Sequence, residues 1–459
     1  MKFIQIVGFF IYLSIGLMQD HDHHHHGDGH DHNHEPIGVI RGSVVDSTLD
    51  ENKAYANISI VKEDSDDIIA GGMSDVDGMF LTQETNVRYA TGMMDVAWPI
   101  QSYFYTAFIP RSSEMPVAIF IPNGGQIQTQ ATWVKTIIRW NFPVGFYMGK
   151  VGESLIESFS FWINKLGLNN SKIATEMSAH FRMGLSVQIL DKMRDSLPNI
   201  EWTDCGPIMW PVRSIKSDEE IKRLKESTKI TCAGIKAGFE SIKEGSSERD
   251  IANTIASTMH SEGGSDIKFL SVYAGPERAL WGDGAPRREM KIKKGSLIQF
   301  DGGCTYDGYY TDIKRFACLG EPTKEQYRFY EIARSSQQAA IDAVVPGATY
   351  GDVYEASQEA IREAGYPEFV TGSQSMNWTS IGHNIGLDIH EFPGISKDNK
   401  ETLKPNQVIC IEPFFYHDGG FPIWTVSNKY GLEDQILITE TGHEILSPDE
   451  FISRDIWIA

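Results

Sequence analysis

Residues 300–315 read FDGGCTYDGYYTDIKR. Asp301 closes the apolar run SLIQF, and Asp312 lies eleven residues further on. Between them Gly302-Gly303 and Asp307-Gly308 supply turn chemistry, so a hairpin can bring both carboxylates onto one face of neighbouring strands. Three strings downstream extend the pattern. IGHNIGLDIHEFPG (381–394) carries His383, ICIEPFFY (409–416) places Glu412 after the apolar strand VICI, and YGLEDQILIT (430–439) places Glu433 before another. A charge set against buried strand needs a partner or a metal. An isolated Asp pair serves turns and caps, and a lone His is more often structural. The weight lies in all five residues in this order. Four carboxylates and one imidazole form a hard-donor set suited to two divalent metal ions (Mn, Fe, Co or Zn) bridged by carboxylate oxygens. Two such ions activate a water and polarise a carbonyl, which points to hydrolysis.

The segments feeding this set repeat. Gly245-Ser-Ser-Glu-Arg-Asp-Ile matches Gly347-Ala-Thr-Tyr-Gly-Asp-Val at an offset of 102 residues, and Gly263 and Gly365 stop the next helix at the same offset. Each copy is a long helix, a glycine turn, a second helix and a glycine stop. Repeated helix pairs ahead of strands predict two pseudo-symmetric α/β halves with the metal residues between them. Ser217 with Glu220 three residues later reads as the capping box of a long helix. Upstream, VAIFIP (117–122) reads as a strand, and 153–167 and 178–195 as helices, giving a separate α/β domain.

Composition bounds the rest. The 459 residues allow two to four domains, and 41% hydrophobic content is ordinary for a globular protein. A net charge of -21 argues against nucleic acid and anionic membrane surfaces as partners. Cys205, Cys232, Cys304, Cys318 and Cys410 are odd in number and widely spread, and read as reduced and mostly buried. The N-terminus differs from this body. Lys2 precedes an apolar run of sixteen residues, short for a membrane span and suited to an export signal. QDHDHHHHGDGHDHNHEP then holds eight of the fourteen histidines and reads as a weak metal-capturing tract.

In its motifs the chain resembles the pita-bread metallohydrolases: methionine aminopeptidase, prolidase, aminopeptidase P and creatinase. The likeness covers roughly 76–459. It implies a creatinase-like α/β domain over 76–212 and a pita-bread domain over 213–459. By the same likeness Asp301 chelates one ion, Asp312 and Glu433 bridge both, and His383 and Glu412 complete the other. His390 in DIHE matches a position that contacts substrate and the tetrahedral intermediate. A metal-bridging hydroxide would attack the scissile carbonyl, with Glu412 as the proton shuttle. The resemblance further implies a homodimer, and a small peptide or small amide or acid as substrate. A lyase, a non-peptide C–N hydrolase and a non-catalytic binder on the same scaffold are the competing readings.

Three departures stand out against that family. A usual His before the first Asp is Gly284, a His four residues before the GH motif is Thr379, and an Arg two residues before the last Glu is Gly431. The extra acidic ligand of the related lyases would fall on Gly303. Of the remaining histidines, His180 and His260 read as surface or packing residues, His443 as structural, and His417 as a loop residue with cleft lining as the alternative. Trp98, Trp281, Trp378 and Trp424 read as packing residues. At the other end, residues 37–62 alternate as hairpin material, and 37–75 resembles the first strands of a carboxypeptidase-regulatory-like sandwich of outer-membrane receptors. That sandwich and the creatinase-like module both look truncated near residue 75, as in a chimeric join after a signal-like and His-rich segment (1–36). The export signal and the cytoplasmic look of the catalytic body therefore point in different directions.

Overall fold

The structure, a computed structural model, describes residues 56–61, 68–74, 76–93, 104–112, 114–123, 132–141, 152–179, 181–275, 285–366, 380–417 and 428–459. The signal-like run, the His-rich tract, His180, Gly284, Thr379 and the four tryptophans named above lie outside them, as does the His417 side chain. The chain divides into two compact units, Met1–Val212 and Arg213–Ala459.

In the first unit, β1 (Ala56–Val61) and β2 (Ile68–Ser74) form an antiparallel hairpin. The expected hairpin spanned 37–62. Of that range residues 37–55 lie outside the described residues, and β1 at its end pairs with β2. There follow β3 (Gly78–Leu81), α1 (Glu84–Thr91), β4 (Thr106–Pro110), β5 (Ala118–Pro122), β6 (Thr136–Trp140), α2 (Glu153–Leu166), β7 (Lys172–Thr175), α3 (Val187–Ser196), β8 (Glu201–Asp204) and α4 (Gly206–Ser214), whose last two residues belong to the second unit. β3 to β8 make one mixed sheet in the order β6-β5-β4-β3-β7-β8. α2 covers it through Phe159, whose ring lies 4.2 Å from that of Phe80. The helix expected over 178–195 begins only after Ser186, which caps α3 by accepting from Ile189 N. The cause lies just before the cap. Gly184 N donates to Thr82 Oγ1 at 2.9 Å, and Asp204 Oδ1 accepts from the Met177 and Ser178 amides, so this stretch bonds distant segments and not its own helix.

The second unit runs α5 (Asp218–Glu240), α6 (Glu248–Ser261), β9 (Asp266–Ala274), β10 (Leu297–Tyr306), β11 (Tyr309–Tyr310), β12 (Ile313–Cys318), α7 (Lys324–Asp342) and α8 (Tyr350–Glu363). It continues with β13 (Ser380–Asn384), β14 (Glu391–Ser396), β15 (Val408–Ile411), β16 (Phe414–His417), β17 (Asn428–Gly431), β18 (Asp434–Ile438), β19 (His443–Ile445) and β20 (Trp457–Ile458). The predicted repeat is present. α6 and α8 start and stop 102 residues apart, each opened by a capping box, Ser247 with Asp250 and Thr349 with Asp352. Gly245 and Gly347 have φ of +83° and +86°, which a side chain would strain. α5 opens on the expected Ser217–Glu220 box.

Each helix pair backs its own sheet. The first runs β11-β10-β12-β20 with β9 beside β10, and the second runs β14-β13-β15-β18-β19. α5 and α6 pack on the first through Ile235, Ile255, Ile298 and Phe300, and α8 with the end of α7 packs on the second through Ile341, Val353, Ile409 and Ile436. The sheets join through paired backbone bonds between Lys314 and Glu433, 3.3 Å each way. The metal-type residues gather at that join. All five cysteines are free and buried, and no described helix is long and apolar enough to cross a membrane.

Candidate metal centre

Strand register places the candidate ligands. Asp301 lies in the middle of β10, and Asp312 immediately precedes β12, its antiparallel partner. The turn between β10 and β11 is Asp307-Gly308, with φ of +45° and +78°, the conformation a tight hairpin demands. His383 sits on β13 opposite Cys410 on β15. Glu412 follows β15, and Glu433 precedes β18. Asp301, Asp312, His383 and Glu433 are all buried, while Glu412 is partly exposed.

These side chains converge. Ligand atoms of Asp301, Asp312 and Glu433 lie within 4.8 Å of one another, as do those of Asp312, His383 and His390, and of His383, Cys410 and Glu433. His383 Nε2 stands 3.6 Å from Glu412 Oε1 and 3.7 Å from Glu433 Oε1. His390 is exposed, its ring centroid 4.0 Å from that of His383.

Protonation follows from the partners. His383 Nδ1 is 2.9 Å from Asn384 O, and a carbonyl only accepts, so Nδ1 carries the proton and Nε2 presents a lone pair to the carboxylates. Burial, then His390, pushes the His383 pKa down to about 4, which keeps the ring neutral. Burial, then the Asp312 and Glu412 carboxylates, pushes Glu433 well above the usual range. Among the described residues, His383 Nε2 and Glu433 Oε1 are buried without a hydrogen-bond partner. Two such electron-pair donors 3.7 Å apart suit a cation between them. The residues therefore fit one divalent ion at Asp312, His383, Glu412 and Glu433.

The part of the cluster around Asp301 differs. Lys314 Nζ lies 3.1 Å from Asp301 Oδ2, 3.0 Å from Glu412 Oε2 and 3.4 Å from Glu433 Oε2. Lys314 is 1% exposed, and its Cα is directly opposite that of Asp301 in the β10–β12 register. Sequence reasoning missed this residue. Its signal was period two: in TDIKR, Asp312 and Lys314 share a face of one strand.

Behind the ligands a polar frame fixes the strands. Arg315 Nη1 donates to Glu433 O at 2.8 Å, and Arg315 Nη2 pairs with Asp434. Gln337 Nε2 donates to Asp434 Oδ2 at 3.0 Å and to Ile411 O, just before Glu412, at 3.1 Å. Glu391 holds the loop that carries His390. It accepts from Arg213, from Lys216 at 3.2 Å and from Asp388 N at 3.3 Å. Burial would raise its pKa, but Arg213 and Lys216 hold its carboxyl below the usual range.

The glycines at 431 and 303 acquire physical reasons. A side chain at Gly431 would meet Phe414 Cβ at 2.7 Å and Pro413 O at 2.8 Å, so no arginine fits there. One at Gly303 would meet Thr311 O at 2.2 Å, so a lyase-type ligand is excluded at that place. His443 is structural, its Nδ1 bonded to Val344 O at 2.9 Å, and His260 Nδ1 likewise meets Gly264 O at 3.1 Å.

A hard-donor cluster at the join of two pseudo-symmetric α/β halves defines a metallohydrolase of the pita-bread class. Residues 222–440 match metallopeptidase family M24, and residues 72–215 match the creatinase/prolidase N-terminal domain. The chain is 31% identical over 268 residues to the Xaa-Pro dipeptidase of Pyrococcus furiosus, covering 58% of this chain and 72% of that one. An uncharacterised peptidase of Staphylococcus saprophyticus is 27% identical over 375 residues, covering 80% and 97%. Among solved structures, the X-Pro aminopeptidase of Thermotoga maritima superposes with a TM-score of 0.68 at 23% identity, covering 84% of this chain and 96% of that one. The P. furiosus prolidase superposes at 0.65 with 24% identity, covering 81% and 96%. This chain belongs to metallopeptidase family M24, with a creatinase-like N-terminal domain ahead of its pita-bread domain.

Proposed function

We propose that this chain is a metal-dependent peptidase of the Xaa-Pro dipeptidase kind, acting on small peptides at Asp301, Asp312, His383, Glu412 and Glu433. The observation that carries the reading is the convergence of these donors with His383 Nε2 and Glu433 Oε1 buried and unbonded. A divalent ion (Mn, Fe, Co or Zn) bound there supplies Lewis acidity, lowering the pKa of water and polarising a carbonyl. The sequence pattern alone suits two such ions; Lys314 bears on that number.

The chain's own residues do the rest. Neutral His383 presents Nε2, and the frame around Arg315, Asp434 and Gln337 holds the strands that bear Glu412 and Glu433. Glu412, partly exposed at the rim, is placed to pass a proton to the leaving amine. His390, exposed beside His383, is placed to donate to the substrate carbonyl. The chain comprises a signal-like and His-rich segment (1–36), a receptor-like partial sandwich (37–75), a creatinase-like domain (76–212) and the metallohydrolase domain (213–459). It acts as a homodimer, with no nucleic acid or membrane partner for the catalytic body. Phe161 and Val187, exposed on α2 and at the start of α3, are apolar surface a second copy would cover. Sedimentation tests the dimer. A panel of Xaa-Pro dipeptides, methyl-amino acids and sulfonium acids tests the activity. Cleavage confined to dipeptides is expected, and turnover of sulfonium or methyl-amino acids alone would contradict it.

A further inference from the structure

Lys314 is a basic side chain that the peptidase reading does not use, and it stands inside the metal cluster. Its place is set by the backbone. Lys314 faces Asp301 across the β10–β12 ladder and bonds Glu433 through paired main-chain bonds. Side chains directly opposed in an antiparallel pair share a face, with Cβ atoms about 5 Å apart. The lysine stem therefore rises among the carboxylates, buried at 1% exposure. A buried ammonium needs anionic acceptors, and three are within 3.4 Å: Asp301 Oδ2, Glu412 Oε2 and Glu433 Oε2.

Those acceptors are divided in a telling way. Lys314 takes the Oε2 atoms of Glu412 and Glu433, whereas His383 Nε2 faces their Oε1 atoms at 3.6 and 3.7 Å. Each glutamate is thus split between two cation positions. The position around His383 holds the unbonded atoms His383 Nε2 and Glu433 Oε1, and the position at Asp301 is filled by Nζ. A divalent ion on the Asp301 side would have to share the oxygens of a trapped ammonium in a low-dielectric interior, where like charges repel strongly.

Building on the metal-dependent reading above, we propose that the Lys314 ammonium replaces one of the two ions, so that the site holds a single divalent ion at Asp312, His383, Glu412 and Glu433. Lys314 is then a built-in second cation that neutralises Asp301 and fixes the outer oxygens of both glutamates. The chain's cluster is a one-metal site made from a two-metal pattern.

Manganese binding to the full chain tests this by paramagnetic resonance and by equilibrium stoichiometry. Mn²⁺ is the weakest binder of its series, which limits binding to the N-terminal histidines. In the native protein the expected spectrum is that of isolated Mn²⁺ with no exchange-coupled pair, and His383→Ala removes one equivalent. Lys314→Met should add one equivalent over native and produce a coupled-pair spectrum. Comparing variants of the same full chain cancels the histidine tract. Should Lys314→Met fail to fold, Lys314→Gln serves, and the native spectrum is decisive without either. A coupled pair in the native chain overturns the proposal while leaving the metal reading intact, and so does a folded Lys314 variant that gains no ion. Native protein from which His383→Ala removes no Mn²⁺ overturns both.

Discussion

At the residue scale, His390 carries the clearest catalytic expectation. Among the described residues His390 is exposed beside the ligands, its ring 4.0 Å from that of His383. General acid–base help of this kind contributes about 10²–10⁴ in rate. His390→Ala should lower kcat on the best dipeptide by a factor of that order while metal content stays at the native value. An unchanged kcat would move the role to another group. Residue identities were the most legible part of the site. Asp301, Asp312, His383, Glu412 and Glu433 could be read from motif and neighbouring strand, and the structure brings them together. Lys314 was not legible as a member. A lysine on a strand reads as solvated by default, and its burial depends on a backbone bridge to Glu433, more than a hundred residues away.

At the element scale, the loop between β13 and β14 carries His390, and buried Glu391 ties it to Arg213 and Lys216. Removing one member of such a buried group leaves uncompensated charge and costs about 3–5 kcal/mol. Glu391→Gln should therefore lower thermal stability at neutral pH by an amount of this order. The pH dependence has a definite sign. The folded pKa of Glu391 lies below its ordinary 4.5, so its contribution is complete above that value and is lost as the pH falls below it. The variant should show a flatter loss of stability below pH 4.5 than the native chain. An unchanged acid limb would show that Glu391 is not charged in the fold. Helix starts were legible because capping boxes are local. Ser217 with Glu220 opens α5, and Ser247 and Thr349 open α6 and α8. The false start at 178 was not, because the amides of Met177, Ser178 and Gly184 are taken by Asp204 and Thr82, partners in distant segments.

At the scale of the whole molecule, duplication is the organising feature. The offset of 102 residues seen in glycines becomes two helix pairs, each backing a sheet, and the join of the sheets becomes the site. That much the sequence states directly, since glycine stops and caps are chemical necessities at fixed places. The first 75 residues obey a different logic. Among the described residues β1 and β2 pair only with each other, and the larger sheet of the first unit begins at β3. Val76 is buried, and Asp77 bonds Lys172 O and Arg111 N, so a chain starting at residue 76 retains what anchors that sheet. Such a chain should melt and turn over like the full one, and a large loss of both would make the segment an integral domain.

The measurement that bears most directly on the account is peptide cleavage before and after metal removal, made in parallel on the native chain and on Asp312→Ala. Asp312 belongs to two of the three ligand groups in the cluster, so its loss should disable the site as a whole. Native activity should vanish on exhaustive chelation and return with Mn, Fe, Co or Zn, and Asp312→Ala should stay inactive with every ion. Hydrolysis that survives chelation, or that Asp312→Ala performs at the native rate, would contradict the assignment of these residues as a metal-dependent peptidase centre.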